Sequence, residues 1–207
     1  MKLLITFSSV TPWVTKVNPF YTKALLSGYY AVRMKQSEQA RIVIGIDPGL
    51  ASTGWGVIES NGCRMKYLAH GVVSTDAKTP RQTRLVEIFA GINEVLDRFC
   101  PSEAGMETLY FGKNVSSAIA VAEARGVVTL ALALAGIPLG EYTPHGIKQA
   151  VVGVARAEKA QVQESVRLLL GLTAIPKPDH AADALAAAIT RINTADIARL
   201  CRAATPK

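Results

Sequence analysis

The sequence predicts one α/β domain built on a five-stranded mixed sheet flanked by helices, and three observations carry that expectation. The run Arg41-Ile-Val-Ile-Gly-Ile-Asp47 is an apolar strand that ends on an acid, and two further strand-like segments follow it closely enough to form a meander. Beyond the meander, segments of helical spacing alternate with short apolar strands, the pattern of parallel crossovers. With 207 residues and 49% hydrophobic content, the chain can bury one sizeable core.

The meander consists of strands over 42–47, 54–60 and 64–75. The first two are joined by the Asp47 to Thr53 turn, whose Pro48-Gly49 leaves the backbone open to a ligand. Leu85, Ile88, Phe89, Ile92, Val95, Leu96 and Phe99 follow helical spacing over 81–99, and Pro101 ends that helix. A strand over 104–109 contains Glu107, a second helix spans 114–135, and a strand follows near 138–142. Thr143 with Pro144 marks a helix start and Gly153 its end; helices over 158–170 and 180–193 complete the order. Neither an internal repeat nor an interdomain linker interrupts it. The expected organisation is an extension over 1–40, a core domain over 41–193 and a basic tail over 194–207.

The net charge of +7 is unevenly spread. Residues 1–40 contain Lys2, Lys16, Lys23, Arg33 and Lys35 against Glu38, which gives +4 and leaves +3 for the remainder. Since several acids of the remainder gather at one site, the outer surface is expected to be more basic than that sum, which suits a polyanion. Cys63, Cys100 and Cys201 are odd in number and widely spaced, against a disulfide framework or a zinc motif, so a reducing, cytoplasmic setting is expected. The apolar stretch 126–140 is interrupted by Gly136 and Pro138 and is too short for a membrane span. The first 40 residues lack the apolar core and cleavage site of a secretory signal, and Met34 is the more economical start of the protein.

The chemistry is concentrated in carboxylates from three places: Asp47, Glu107 in Ala104-Gly-Met-Glu107, and the segment Pro178-Asp-His-Ala-Ala-Asp183. A carboxylate at a buried strand end is costly unless a cation or donors receive it. Several in one pocket can bind hard divalent cations, which generate hydroxide and stabilise the leaving oxygen of a phosphodiester. The Ala-rich helix after Asp183 offers no Lys or Arg one turn away to neutralise it. His180 and Asp179, three and four residues earlier, share a helix face with Asp183. Asp179 following Pro178 reads first as the helix N-cap, which leaves His180 and Asp183 as the better ligand pair.

These segments resemble the RuvC Holliday junction resolvases of the ribonuclease H-like superfamily over Ile42 to about Asn193. The resemblance rests on Gly45-Ile-Asp-Pro-Gly49 with Thr53-Gly-Trp-Gly-Val57, the Glu107 strand with Lys113-Asn114, and Ala124-Arg-Gly126. It continues through Ile147-Lys-Gln-Ala-Val-Val-Gly153, Ala157-Glu-Lys-Ala-Gln-Val162 and Ala181-Ala-Asp-Ala-Leu185. Each string is weak alone; their order and spacing together are specific.

The resemblance implies a ribonuclease H-like fold and places the family's four ligand positions on Asp47, Glu107, His180 and Asp183. Many members carry Asp at the position of His180. An imidazole there removes a negative charge and shifts the expected pair of cations from Mg2+ toward Mn2+, with Asp179 as the alternative acid. Asp47 would bridge both cations, His180 and Asp183 would complete the water-activating site, and Glu107 would face the leaving 3′ oxygen. In the loop after Glu107, Tyr110 is expected to stack on an unpaired base, with Phe111 as the alternative and a core role for either as the simpler reading. Lys113 lies in the same loop. Lys148 and Lys159, ordinary surface lysines if taken singly, are expected near the scissile phosphate. A homodimer joined through 114–135, paired nicks in a four-way DNA junction, and a branch-migration helicase of RuvA and RuvB type as partner complete the expectation. A sugar kinase or chaperone-type ATPase shares the Gly-Ile-Asp turn but needs a second lobe; a non-catalytic junction binder would not need all four ligand positions.

Overall fold

In the computed structural model, residues 40–61, 64–108 and 115–204 are described; for 115–117 and 198–204 this holds for the backbone only. Strands β1 (Arg41–Asp47), β2 (Ser52–Ser60) and β3 (Met65–Ser74) form the antiparallel meander. Then come α1 (Arg81–Phe99), β4 (Glu103–Glu107), α2 (Val115–Leu134), β5 (Leu139–Tyr142), α3 (Pro144–Val152), α4 (Lys159–Leu169) and α5 (Asp179–Ala204). The sheet order is β3-β2-β1-β4-β5, with β4 parallel to both β1 and β5. The five-stranded mixed sheet and its flanking helices therefore match the expected class.

Strand alternation sorts the core into two layers. Ile44, Ile46, Val57, Ala104 and Met106 point toward α1 and α2, where Ile88, Ile92, Ala124, Val128 and Leu132 meet them. Val43 and Ile58 point the other way, into a cluster with Ile147, Val151, Val162, Val166, Leu185 and Ile189 of α3, α4 and α5. The middle of the sheet under α5 has little side-chain bulk. A Cβ at Gly45 would stand 1.8 Å from the Ala184 carbonyl oxygen, and one at Gly54 2.1 Å from that of His180. Glycine in the strands and alanine on the helix thus let α5 lie directly on the sheet. This close approach brings the start of α5 over the end of β1.

Helix ends follow local chemistry. Thr143 caps α3 by accepting from the Gly146 amide at 3.0 Å, and Gly153 closes it in the left-handed region at φ 83°. Glu158 and Gln161 form a capping box that fixes the start of α4 at Lys159. Two expectations need correction. The last helix does not stop near 193 but runs to Ala204, so 194–204 is not a tail: the Asp196 carboxylate accepts from Arg41 at the start of β1. Asp179 is the first residue of α5 rather than its N-cap, and its carboxylate accepts from Lys159 and Gln163.

Candidate active site

Period-two alternation fixes where the strand carboxylates point. Gly45 pairs with Gly105 across β1 and β4, and both lie under α5; Asp47 and Glu107 are two residues further along on the same face. Both therefore emerge at the carboxy-terminal ends of adjacent parallel strands, where the first turn of α5 covers them. The turn after Asp47 is tied down. Thr53, fully buried, donates its hydroxyl to the Gly49 carbonyl at 2.8 Å, and Thr75 donates to the Leu50 carbonyl at 2.6 Å. Arg84 of α1 in turn donates to the Thr75 hydroxyl at 2.7 Å.

From α5, His180 reaches Asp47, with Nδ1 2.6 Å from Oδ2. An ionised carboxylate can only accept, so the ring is the donor in this contact, through Nδ1. Asp183, one turn further, meets the Lys159 ammonium 3.2 Å from Oδ2. The absence of a nearby cation inferred from the helix alone is thus corrected by tertiary structure, since the lysine arrives from α4.

The electrostatics are those of crowded acids. Burial first, and then the charges of Asp47 and Asp183, push Glu107 above the ordinary carboxylate range, against the opposing influence of Lys148 and Arg125. Burial likewise raises Asp183; Lys159 counteracts this, while Asp47 and Asp179 add to it. Asp179 behaves oppositely, since the Lys159 hydrogen bond and charge hold it below its ordinary range.

Asp47, Glu107, His180 and Asp183 therefore lie in one electrostatic neighbourhood, with Lys148 of α3 acting on Glu107 and Lys159 on Asp183. Asp179 faces α4, not Asp47. Tyr110, Phe111 and Lys113 lie outside the described residues. Among the described residues no three His, Cys, Asp or Glu side chains already stand in a closed ligand cluster. The Lys159 ammonium and the His180 ring occupy the carboxylates instead. The donor set nonetheless fits a hard divalent cation: three carboxylates, two of them raised by burial and mutual charge, with one imidazole beside them.

Arg125 is a residue that sequence reasoning leaves outside the site, yet its guanidinium donates to the Glu107 backbone carbonyl and to the Glu141 carboxylate. It ties α2 and β5 to the end of β4. Its place in the string Ala124-Arg-Gly126 is the one sequence signal for it. The helix runs on through Gly126.

A mixed sheet in this order, with acids gathered at the ends of its central parallel strands under a close-packed helix, defines the ribonuclease H-like class with an acidic centre. The chain belongs to the RuvC family: a family model described as crossover junction endodeoxyribonuclease RuvC matches residues 43–191. The chain is 56% identical to the crossover junction endodeoxyribonuclease RuvC of Treponema denticola over 155 residues, 75% of this chain and 87% of that one. To the Chloroflexus aurantiacus protein of the same name it is 49% identical over 152 residues, 73% and 93% of the two chains. Among solved structures it is similar to T. thermophilus RuvC in complex with Holliday junction substrate, at 38% identity and a TM-score of 0.73, covering 76% of this chain and 96% of that one. The yeast mitochondrial Holliday junction resolvase Ydc2, at 14% identity and a TM-score of 0.51, shares the fold.

Proposed function

We propose that this protein is a crossover junction endodeoxyribonuclease that resolves four-way DNA junctions in recombination and repair by paired, metal-dependent nicks. The observation that carries the reading is the convergence of Asp47, Glu107, His180 and Asp183 at one end of the β1 and β4 pair. Family membership and relatives whose names state this activity support it. So does the T. thermophilus structure, described as a complex with a Holliday junction substrate.

On this reading Asp47, Glu107, His180 and Asp183 would hold two divalent cations, Mg2+ or Mn2+. Such cations supply activated hydroxide and charge stabilisation at the leaving oxygen of a phosphodiester. The protein's own residues orient and balance the site. His180 fixes the Asp47 carboxylate, Arg125 fixes the Glu107 backbone, and Lys148 and Lys159 supply positive charge on the side where a phosphate approaches. Tyr110 stacks on an unpaired base and Lys113 meets the backbone beside it. The products carry 5′-phosphate and 3′-hydroxyl ends.

Two symmetric cuts need two sites, which a twofold homodimer provides. The outer face of α2 suits that role. Ile119 and Leu130 are exposed there, and a Cβ added at Gly126 between them would meet nothing within the chain. The spacing 119, 126, 130 keeps the three on one helix face. A branch-migration helicase of RuvA and RuvB type would deliver the junction. No described helix is long and apolar enough to cross a membrane.

The test is cleavage of a synthetic four-way junction with and without Mg2+ or Mn2+, alongside Asp47→Asn. Metal-dependent symmetric nicks lost in the variant, with junction binding retained, are expected. Equal cutting in a chelator, or by the variant, would refute the reading.

A further inference from the structure

Lys159 stands between two carboxylates of α5. Its Nζ is 3.1 Å from Asp179 Oδ2 and 3.2 Å from Asp183 Oδ2. Asp179 and Asp183 are four residues apart on one helix face, so as a bare pair they repel, and the shared ammonium removes that repulsion. The arrangement is fixed from α4 as well. The Glu158 and Gln161 capping box sets the helix start and so holds the Lys159 backbone, leaving the four-carbon stem to set where the ammonium lies. One turn along α4, Gln163 Nε2 donates to Asp179 Oδ1 at 3.2 Å. Gln163 thereby holds the outer carboxylate in an orientation that presents Oδ2 to the lysine.

We propose that Asp179 is a positioning residue of the cation site: with Gln163 it gives Lys159 a second carboxylate to keep when Asp183 turns to a divalent cation. This rests on the cation reading of the preceding section. A cation at Asp183 and an ammonium 3.2 Å from the same carboxylate compete for one negative charge. If Asp183 were the only partner of the lysine, loading would strip it of its counter-ion. With Asp179 beside it, Nζ retains one partner and moves only the width of the pair. The lysine then remains at the rim of the site, where a phosphate would meet it. Asp179 is thus distinguished from a ligand, since its hydrogen bonds go to α4 rather than toward Asp47 or Glu107.

The test is a double-mutant cycle read by Mn2+ binding to the full-length protein without DNA, following free Mn2+ by its electron paramagnetic resonance signal. The proteins are wild type, Asp179→Asn, Lys159→Gln and the double variant. Asp179→Asn should weaken Mn2+ binding about three- to tenfold while Lys159 is present and less than about twofold in the Lys159→Gln background, because contacting residues couple. Lys159→Gln alone should tighten binding, and Asp179→Glu should restore most of the loss. An equal loss in both backgrounds would mean that Asp179 acts on the cation directly, as ligand or field charge, and would overturn the proposal while leaving the cation reading intact. No loss in either background would overturn it too. Failure of the wild type itself to bind Mn2+ would instead remove the cation reading, and this inference with it.

Discussion

The parallel pair β1 and β4 carries charged side chains at both ends, on the same face, in opposite states of balance. At the amino-terminal end Arg41 donates to Glu103 at 3.0 Å and to Asp196, and Arg191 reaches Glu103 at 2.9 Å. Two guanidiniums face two carboxylates there, with the Arg41 and Glu103 side chains about nine-tenths buried. At the carboxy-terminal end four carboxylates, Asp47, Glu107, Asp179 and Asp183, face two lysines, Lys148 and Lys159, and one imidazole, in a more open setting. The comparison teaches what each end is for. A buried charge set that is internally matched contributes to structure and loses much if one partner is removed. A set left with excess negative charge is under-compensated and gains from an added cation. The two ends are joined by α5, which supplies Arg191 and Asp196 to one and His180 and Asp183 to the other.

The largest difference between the ends should appear in Asp47→Asn. Cleavage should fall about a thousandfold or more, roughly 4 kcal/mol of barrier, with junction affinity unchanged or higher and thermal stability not reduced. Junction cleavage under single-turnover conditions, with a melting curve of the same protein, checks both halves. A variant that melted early but cut normally once folded would make Asp47 a structural residue like Glu103.

Next in size is the reverse experiment. Glu103→Gln leaves two guanidiniums, the nearly buried one of Arg41 and the partly exposed one of Arg191, short of one charge and should destabilise the fold by about 3 kcal/mol, read by urea unfolding. Cleavage per folded molecule should be unchanged. If activity fell further than the folded fraction, the two ends would be coupled through α5 rather than separate.

The sheet and helix order are legible in the sequence because periodicity records which face of an element is buried, and Asp47 and Glu107 are legible because an acid at an apolar strand end is anomalous in itself. What stays hidden depends on distances between elements. The pairing of Lys159 with Asp183 joins residues 24 apart, and Arg41 meets Asp196 across 155 positions. Nothing local in either segment announces its partner. The run to Ala204 is a different case, since Ile197, Leu200, Cys201 and Ala204 recur at helical spacing and the intervening alanines favour a helix; the signal lies in the sequence, and an end near 193 overlooks it. Asp179 looks like a cap because an acid after proline commonly is one; here the acid opens the helix and serves the neighbouring one.

A smaller effect should come from Arg125, which stands between the two behaviours: it forms a matched pair with Glu141 yet also holds the Glu107 backbone. Arg125→Gln should lower cleavage about tenfold, the low end of the range for groups that orient a ligand rather than ligate. Glu141→Gln, whose side chain is half exposed, should change cleavage little. Comparing their rates at saturating Mn2+ checks this. Equal losses would assign the effect to the ion pair instead of the hold on Glu107.

The smallest effect is a matter of sign. Glu107 is raised above its ordinary range by burial and by Asp47 and Asp183, so its ionised form is less favourable folded than unfolded. The resulting penalty is fully present at pH values above the folded value and is relieved as pH falls through it toward the ordinary range, because the native state then binds the proton first. In a chelator at neutral pH, Glu107→Gln should therefore melt higher than wild type, by about 2–4 °C if the relief is on the order of 1 kcal/mol. The gap should close on acidification. Adding Mn2+ at neutral pH should stabilise wild type more than the variant and reverse the order, since a cation bound only to the native state adds stability in proportion to its affinity. A gap that is independent of pH would trace the gain to packing, and a variant that melts lower at neutral pH would put Glu107 among the matched charges of the opposite end.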